Sequence, residues 1–416
     1  MKYRVDYGRE GLEFDLPRSL GPRLLKARPM QELKDAAGAL RRAMEQPIGS
    51  APLADLCHGK RTAAIAVSDH TRPLPGSSVL PALVEELTRN GIDRNDITIV
   101  VATGLHRATT QKEAAAILGE GLERSLKVVS HDARRTESLC DLGRLSNGAP
   151  LGVARAFVEA DLRLAVSLVE PHFFAGYSGG RKMVLPGLAA RETIFSFHSP
   201  SILAHPRVRS GCLEGNPVHQ LALEAARKVG VHFSVNLTID ERQRPTGIFA
   251  GDLEKAHLAA VEFGDRHWRC AVKGRADVVV TSGGGAPLDA TFYQTVKGIS
   301  AALPVLRDGG TIVVASECAE GLGSPQFIGE LGKFEGADQY LDLVRGRAEM
   351  VVDQWQLQKL AEALQRARVV LVSALKANPA PVARADSIER ALENARAQRL
   401  YVIPSGPYLI AEVEDD

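Results

Sequence analysis

Cysteine is scarce in this sequence and never paired: Cys57, Cys140, Cys212, Cys270 and Cys318 are spread over 416 residues with no Cys-x-x-Cys spacing. That argues against a disulfide framework and a thiolate zinc site, and it fits a reducing compartment. A surplus of either charge is missing as well. Lys plus Arg number 51 against 50 for Asp plus Glu, so no global basic field exists to hold nucleic acid or an anionic membrane, and the expected partner is a small molecule. No apolar run approaches the length of a membrane span. Residues 1–16 mix charged and apolar side chains and lack the basic start, apolar stretch and small-residue cleavage site of a signal peptide. A cytoplasmic protein is the expectation. Internal repeats and low-complexity tracts are also absent.

What is present is the makeup of an ordinary globular protein, with 45% hydrophobic and 24% charged residues. At 416 residues the chain outgrows a single core, so two domains with a cleft between them are expected. Residues 61–67 (RTAAIAV) read as a buried strand, followed by a turn through Pro73, Pro75 and Gly76 and a helical pattern over about 77–90. A second unit starts at 97–102, turns at Thr103-Gly104 and enters an Ala-rich helix after Thr110. Strand candidates continue at 126–129, 163–167, 276–281, 311–315, 369–372 and 400–403, and a helix is expected over about 253–267. Strands alternating with helices predict two α/β domains with largely parallel sheets, residues 1–270 and 271–416, divided near Lys273-Gly274-Arg275. Ligands of such sheets gather where strands give way to loops.

Four post-strand loops concentrate chemistry-bearing residues: SDHTRP (68–73), ATGLHR (102–107), the stretch 170–200, and SGGGAPLDATFYQTVK (282–297). The third brings His172, Gly179, Gly180, Arg181, Lys182 and His198 into a short span. Glycines let backbone amides approach an anion while Arg and Lys supply countercharge, so the loop reads as a phosphate cradle. It is not a P-loop, because Lys182 follows Arg181 and precedes Met183, where Ser or Thr would bind magnesium. The plain alternative is a Gly-rich turn with surface charges. In the fourth, a helix starting near Asp289 offers its N-terminus to a carboxylate or phosphate, with Tyr293, Gln294 and Lys297 close by. There the plain alternative is Lys297 stabilising a helix end before Gly298.

Of 11 histidines, His58, His131, His205, His219, His232, His257 and His267 read as surface or satisfied core residues, and His70 stays undecided. His106 and His172 sit in post-strand loops with glycine and a cation nearby, where imidazole can act as acid or base near neutral pH. His198 follows Phe195-Ser196-Phe197, an aromatic run that suits a dry pocket. No His-Glu-x-x-His or comparable cluster occurs, which disfavours an all-protein zinc site. One histidine holds a metal tightly only if a cofactor completes the coordination.

Taken in order, SDHTRP, ATGLHR, HFFAGYSGGRK with FHSP, DATFYQTVKG and Asp353-Gln354-Trp355 resemble the nickel-dependent lactate racemase family over nearly the whole chain. The resemblance implies two α/β domains with the active site between them, and a racemase or epimerase of 2-hydroxy acids. It implies that Lys182 carries a nickel-pincer nucleotide, a pyridinium mononucleotide bearing two sulfur groups, through a thioamide bond. His198 would complete a square-planar nickel site, and His106 and His172 would be the acid/base pair. Gly179, Gly180, Arg181 and Asp69 would help hold the cofactor, while Arg72, Tyr293, Gln294, Lys297 and Trp355 would face the substrate. Proteins that synthesise the cofactor and insert nickel are implied as transient partners.

Removing a proton from C2 of a 2-hydroxy carboxylate would place a carbanion beside a carboxylate. The route implied by the resemblance moves that hydrogen as hydride and passes through a planar 2-keto acid. One acid/base group on each side then follows from symmetry, with Arg72 or Lys297 clamping the carboxylate. Two other readings stand beside it. An NAD(P)-dependent oxidoreductase is disfavoured because no Gly-x-Gly-x-x-Gly fingerprint with a ribose-binding acid follows the early strands. A non-catalytic hydroxy-acid or nucleotide-binding protein would show itself by binding without turnover.

Overall fold

In a computed structural model that describes residues 1–119, 121–377, 379–393 and 397–414, the α/β pattern is realised as two six-stranded sheets. The first has the strand order Pro245–Gly251, Phe233–Ile239, Leu162–Leu168, Ala63–Ser68, Ile97–Ala102, Lys127–Ser130. Only Pro245–Gly251 runs antiparallel to its neighbour. Every residue of Ala63–Ser68 is buried, as its small and β-branched apolar side chains require of a central parallel strand covered on both faces. From that strand the sheet grows one way through Ile97–Ala102 and Lys127–Ser130, then the other way through Leu162–Leu168 and Phe233–Ile239. The order thus reverses between Ala63–Ser68 and Leu162–Leu168, and the crevice at the carboxyl ends of such a pair is where open α/β sheets bind ligands.

The second sheet has the order Ala383–Ala385, Ala367–Val372, Leu306–Ala315, Ala276–Ser282, Leu400–Val402, Arg23–Leu24, with every pair parallel. Its edge strand comes from the N-terminus. Val5, Phe14 and Leu16 of the hairpin Lys2–Val5 with Leu12–Asp15 share a core with Val278, Val280, Val313 and Val402. The opening residues therefore serve the second sheet, which departs from the expectation that 1–270 form one unit. A short hairpin shows which of its faces is apolar but not which sheet that face will cover.

The helix Gln354–Leu364 of the second half sends Trp355 into the first domain, among Phe174, Met183, Phe197 and Leu203. Gln358 Nε2 and Lys359 Nζ donate to the carbonyls of Pro200 (3.0 Å) and Leu203 (2.6 Å). Those carbonyls belong to the short helix Pro200–Leu203, and the Pro200 oxygen also accepts the Ala204 amide (3.0 Å). The helix Phe292–Ala302 starts three residues beyond Asp289. Asp289 instead accepts the amides of Gly8 (2.8 Å) and Glu317 (3.0 Å), so a carboxylate at this glycine-rich loop is supplied by the chain itself. Among the described residues no helix is long and apolar enough to cross a membrane.

Candidate active site

Asp69 follows directly on Ala63–Ser68, and His106 lies in the loop after the adjacent strand Ile97–Ala102. Asp69 Oδ2 is 2.7 Å from His106 Nδ1, and Oδ1 accepts from the Thr71 amide (3.2 Å) and hydroxyl (2.6 Å). Burial pushes the Asp69 carboxyl up, but the hydrogen bond and charge of His106, with Thr71, outweigh it and hold it below the usual carboxylate range. A carboxylate at Nδ1 keeps the ring proton there and leaves the lone pair on Nε2, so His106 is set as a base. Its side chain is 52% exposed, open to proton exchange with water.

His172, in the loop after Leu162–Leu168, is set the other way. Its Nδ1 accepts the amides of Phe174 (3.5 Å) and Ala175 (3.3 Å), which places the proton of the neutral ring on Nε2. Burial first, then the charges of Lys182, Arg72 and Lys297, push its pKa well below the ordinary histidine value. His172 is therefore a neutral hydrogen-bond donor.

The GGRK segment is tied to its own surroundings. Gly179 and Gly180 have φ of +77° and +51°, and a Cβ on Gly180 would meet the His257 ring at 2.8 Å. The Gly180 amide donates to Ser167 Oγ (2.9 Å). Arg181, only 1% exposed, donates to the carbonyls of Ala175 (2.9 Å) and Tyr177 (3.0 Å), with Nη1 2.7 Å from His257 Nε2. These groups hold the loop rather than face an anion. Lys182 Nζ lies 5.5 Å from the Phe174 ring centroid. Burial first, then Arg72, Arg181 and Lys297, lower its pKa well below the ordinary lysine value, which favours the nucleophilic neutral amine.

His198 ends the helix Arg191–Phe197 and is buried. Its Nδ1 donates to the Ile194 carbonyl (2.8 Å), and burial lowers its pKa to about 3, so Nε2 carries a free lone pair. Trp355 stacks on the ring at 4.6 Å and 26°, with Phe174 and Phe197 edge-on. Stacking covers the face of an imidazole and leaves the in-plane lone pair open. A carbonyl on one nitrogen and an open lone pair on the other is the arrangement of a metal-ligating histidine. Among the described residues, however, no three His, Cys, Asp or Glu side chains come together to hold a metal.

The second domain contributes Tyr293, Gln294 and Lys297 from the helix Phe292–Ala302. Trp355 Nε1 donates to Tyr293 Oη (3.2 Å). Burial raises the Tyr293 phenol, and the charge of Asp353 adds to the effect. Gln294 Oε1 is buried without a partner among the described residues. Burial and then Arg72 lower the Lys297 pKa to about 7, against the pull of Glu170 and Asp69. Arg72 Nε itself lies 3.6 Å from Glu170 Oε1. These contacts link Asp69 to His106, set Lys182 near Arg72 and Lys297, and join Tyr293 through Trp355 to His198.

Family models agree with this arrangement in both halves: that for the lactate racemase N-terminal domain matches residues 7–211, and that for the lactate racemase C-terminal domain matches residues 271–410. The chain belongs to the lactate racemase family. It is 40% identical to the lactate racemase of Thermoanaerobacterium thermosaccharolyticum over 373 residues, covering 89% of this chain and 87% of that protein. It is 34% identical to the lactate racemase of Lactiplantibacillus plantarum over 377 residues, 88% of each chain. The solved structure of the lactate racemase apoprotein from T. thermosaccharolyticum superposes with a TM-score of 0.93, at 36% identity, over 99% of this chain and 100% of that one. A Thermotoga maritima structure, 18% identical with a TM-score of 0.70, shares the fold.

Two acids of this lactate racemase family member lay within segments quoted from the sequence but were given no role there. Glu170 lies two residues ahead of His172 and faces Arg72. Asp353, at φ +71°, accepts from Ser324 Oγ beside Tyr293. The available signal was the place of Asp353 in the Asp353-Gln354-Trp355 motif and of Glu170 at the head of the stretch 170–200.

Proposed function

We propose that the protein inverts C2 of a 2-hydroxy acid, lactate or a close relative, as a racemase or epimerase. The observation that carries this reading is a pair of histidines set in opposite senses, one of them beside two cations. His106 is ready to take a proton, His172 to donate a hydrogen bond, and Arg72 and Lys297 act on His172.

The residues fit a nickel-pincer nucleotide. Lys182 offers an amine that burial favours as neutral, able to form an acyl-type bond. His198 offers one imidazole lone pair, and a metal there would need its other ligands from the bound group. When bound, that group would supply nickel and an electron-pair acceptor for the C2 hydrogen.

The chain's own groups account for the rest. Arg72 and Lys297 hold the substrate carboxylate, and this anion offsets the cations that depress His172. That offset raises the proton affinity of His172, so that the two histidines can share one proton. His106 takes the hydroxyl proton through Nε2 as the carbonyl forms; His172, entering as the imidazolium with Nδ1 released from its long amide contacts, gives its Nε2 proton back on the other side and is left neutral. His106, half exposed, then re-equilibrates with water. Asp69 orients His106, while Gly179, Gly180 and Arg181 hold the loop that presents Lys182. Trp355, hydrogen-bonded to Tyr293, covers a face of His198, and Gln294 Oε1 is left as an acceptor for the substrate side. Transient partners that make the cofactor and insert nickel, and a cytoplasmic location, belong to the same reading.

Lys297 must be charged to hold a carboxylate. With its pKa lowered to about 7, KM is expected to climb as pH rises from about 7 to 9, approaching about tenfold per unit. Lys297→Arg, which stays charged, flattens that rise. Initial rates across this range measure both.

The activity itself is tested by loading the protein with cofactor and following 2-hydroxy acids by chiral analysis in heavy water. Inversion with retention of the original hydrogen at C2 is expected. Deuterium entering C2 in step with inversion would overturn internal return of that hydrogen.

A further inference from the structure

A cavity of about 60 Å³ lies between the domains, large enough for several water molecules. Its polar lining includes Arg72, Glu170 and Lys297, beside His172; its apolar lining includes Leu288, Ala301 and Leu409. We infer that this cavity receives the C2 side chain, so that the protein selects 2-hydroxy monocarboxylic acids with an apolar side chain longer than methyl and rejects those with a second carboxylate. The inference rests on the function proposed above.

The polar lining sets the charge of the guest. Arg72 and Lys297 bring two positive charges, and Glu170, 9% exposed and 3.6 Å from Arg72 Nε, brings one negative charge. The balance is one positive charge, which one substrate carboxylate neutralises. A second carboxylate would be desolvated beside Glu170 with no cation left for it. Arg209 stands at the rim, but it is exposed and its charge is screened by water and salt.

The apolar lining sets the chemistry of the side chain. Leu288, Ala301 and Leu409 offer no hydrogen bond from their side chains, and the Ser300 hydroxyl on the same wall already donates to the Val296 carbonyl (2.9 Å). Each methylene buried there is expected to raise kcat/KM by about fourfold.

The test uses the cofactor-loaded protein with lactate, 2-hydroxybutyrate, 2-hydroxyvalerate and malate. Expected are a rise in kcat/KM from lactate to 2-hydroxyvalerate and a malate value at least about a hundredfold below that of 2-hydroxybutyrate. Ala301→Leu fills space along the apolar lining and should lower the 2-hydroxyvalerate-to-lactate ratio at least about tenfold. Ser300→Leu, at a less buried position, does the same if the first variant fails to fold. Glu170→Gln should raise the malate-to-2-hydroxybutyrate ratio at least about tenfold. Equal slowing of all acids by the filling variants would mark the cavity as a mere passage and overturn the inference. So would a wild-type preference for malate, which leaves the 2-hydroxy acid reading standing. Inversion of none of the four acids would overturn that reading itself.

Discussion

His106→Ala and His172→Ala are each expected to lower the rate of inversion at least about a hundredfold, the usual scale when an acid/base group is lost. The two variants should differ in stability. His106 is half exposed, and its loss mainly deprives the buried Asp69 carboxylate of a partner. His172 is buried between Phe173, stacked at 5.2 Å, and Phe174, edge-on at 4.4 Å. Its removal opens a hole and leaves the amides of Phe174 and Ala175 without their acceptor, a cost of about 1 to 3 kcal/mol. Thermal melting separates that cost from the chemistry. A wild-type rate in either variant would end the two-histidine mechanism.

Lys182→Ala and Lys182→Arg should both abolish a covalent adduct, the first by removing the amine and the second because a guanidinium stays charged. His198→Ala should permit attachment but weaken nickel retention, since it deletes the lone pair oriented by the Ile194 carbonyl. Intact mass and metal analysis, after exposure to extract from cells that synthesise the cofactor, read the two effects independently of turnover. An adduct persisting on either Lys182 variant would sink the tether assignment. Unchanged nickel in the His198 variant would sink the ligand assignment.

Much of this arrangement was legible in the chain. The runs 61–67 and 97–102 lie within two residues of the strands Ala63–Ser68 and Ile97–Ala102, because apolar segments bounded by turn residues have few other uses. Their loops then bring Asp69 and His106 together without further information. Arg181 was harder. Glycines beside a cation describe both an anion cradle and a turn that binds its own carbonyls, and the choice was made by His257, 76 residues away. Local pattern likewise could not show that Arg23–Leu24 would pair with Leu400–Val402, or that Trp355 would cross into the other domain. Family resemblance named His106 and His172 together but was silent on which ring nitrogen each presents.

That last difference bears on how the two directions of the reaction compare. Mirror-image acids have equal free energy, so the interconversion of enantiomers has an equilibrium constant of unity, and kcat/KM must be the same from either side. The protein is not symmetric: a carboxylate backs one imidazole and a pair of peptide amides backs the other. Such handedness in the catalyst can surface only in compensated form. On the mechanism proposed, the enantiomer that presents its hydroxyl to His106 and the one that presents it to His172 share a specificity constant but are expected to saturate at different concentrations, the faster maximal turnover belonging to the acid with the higher KM.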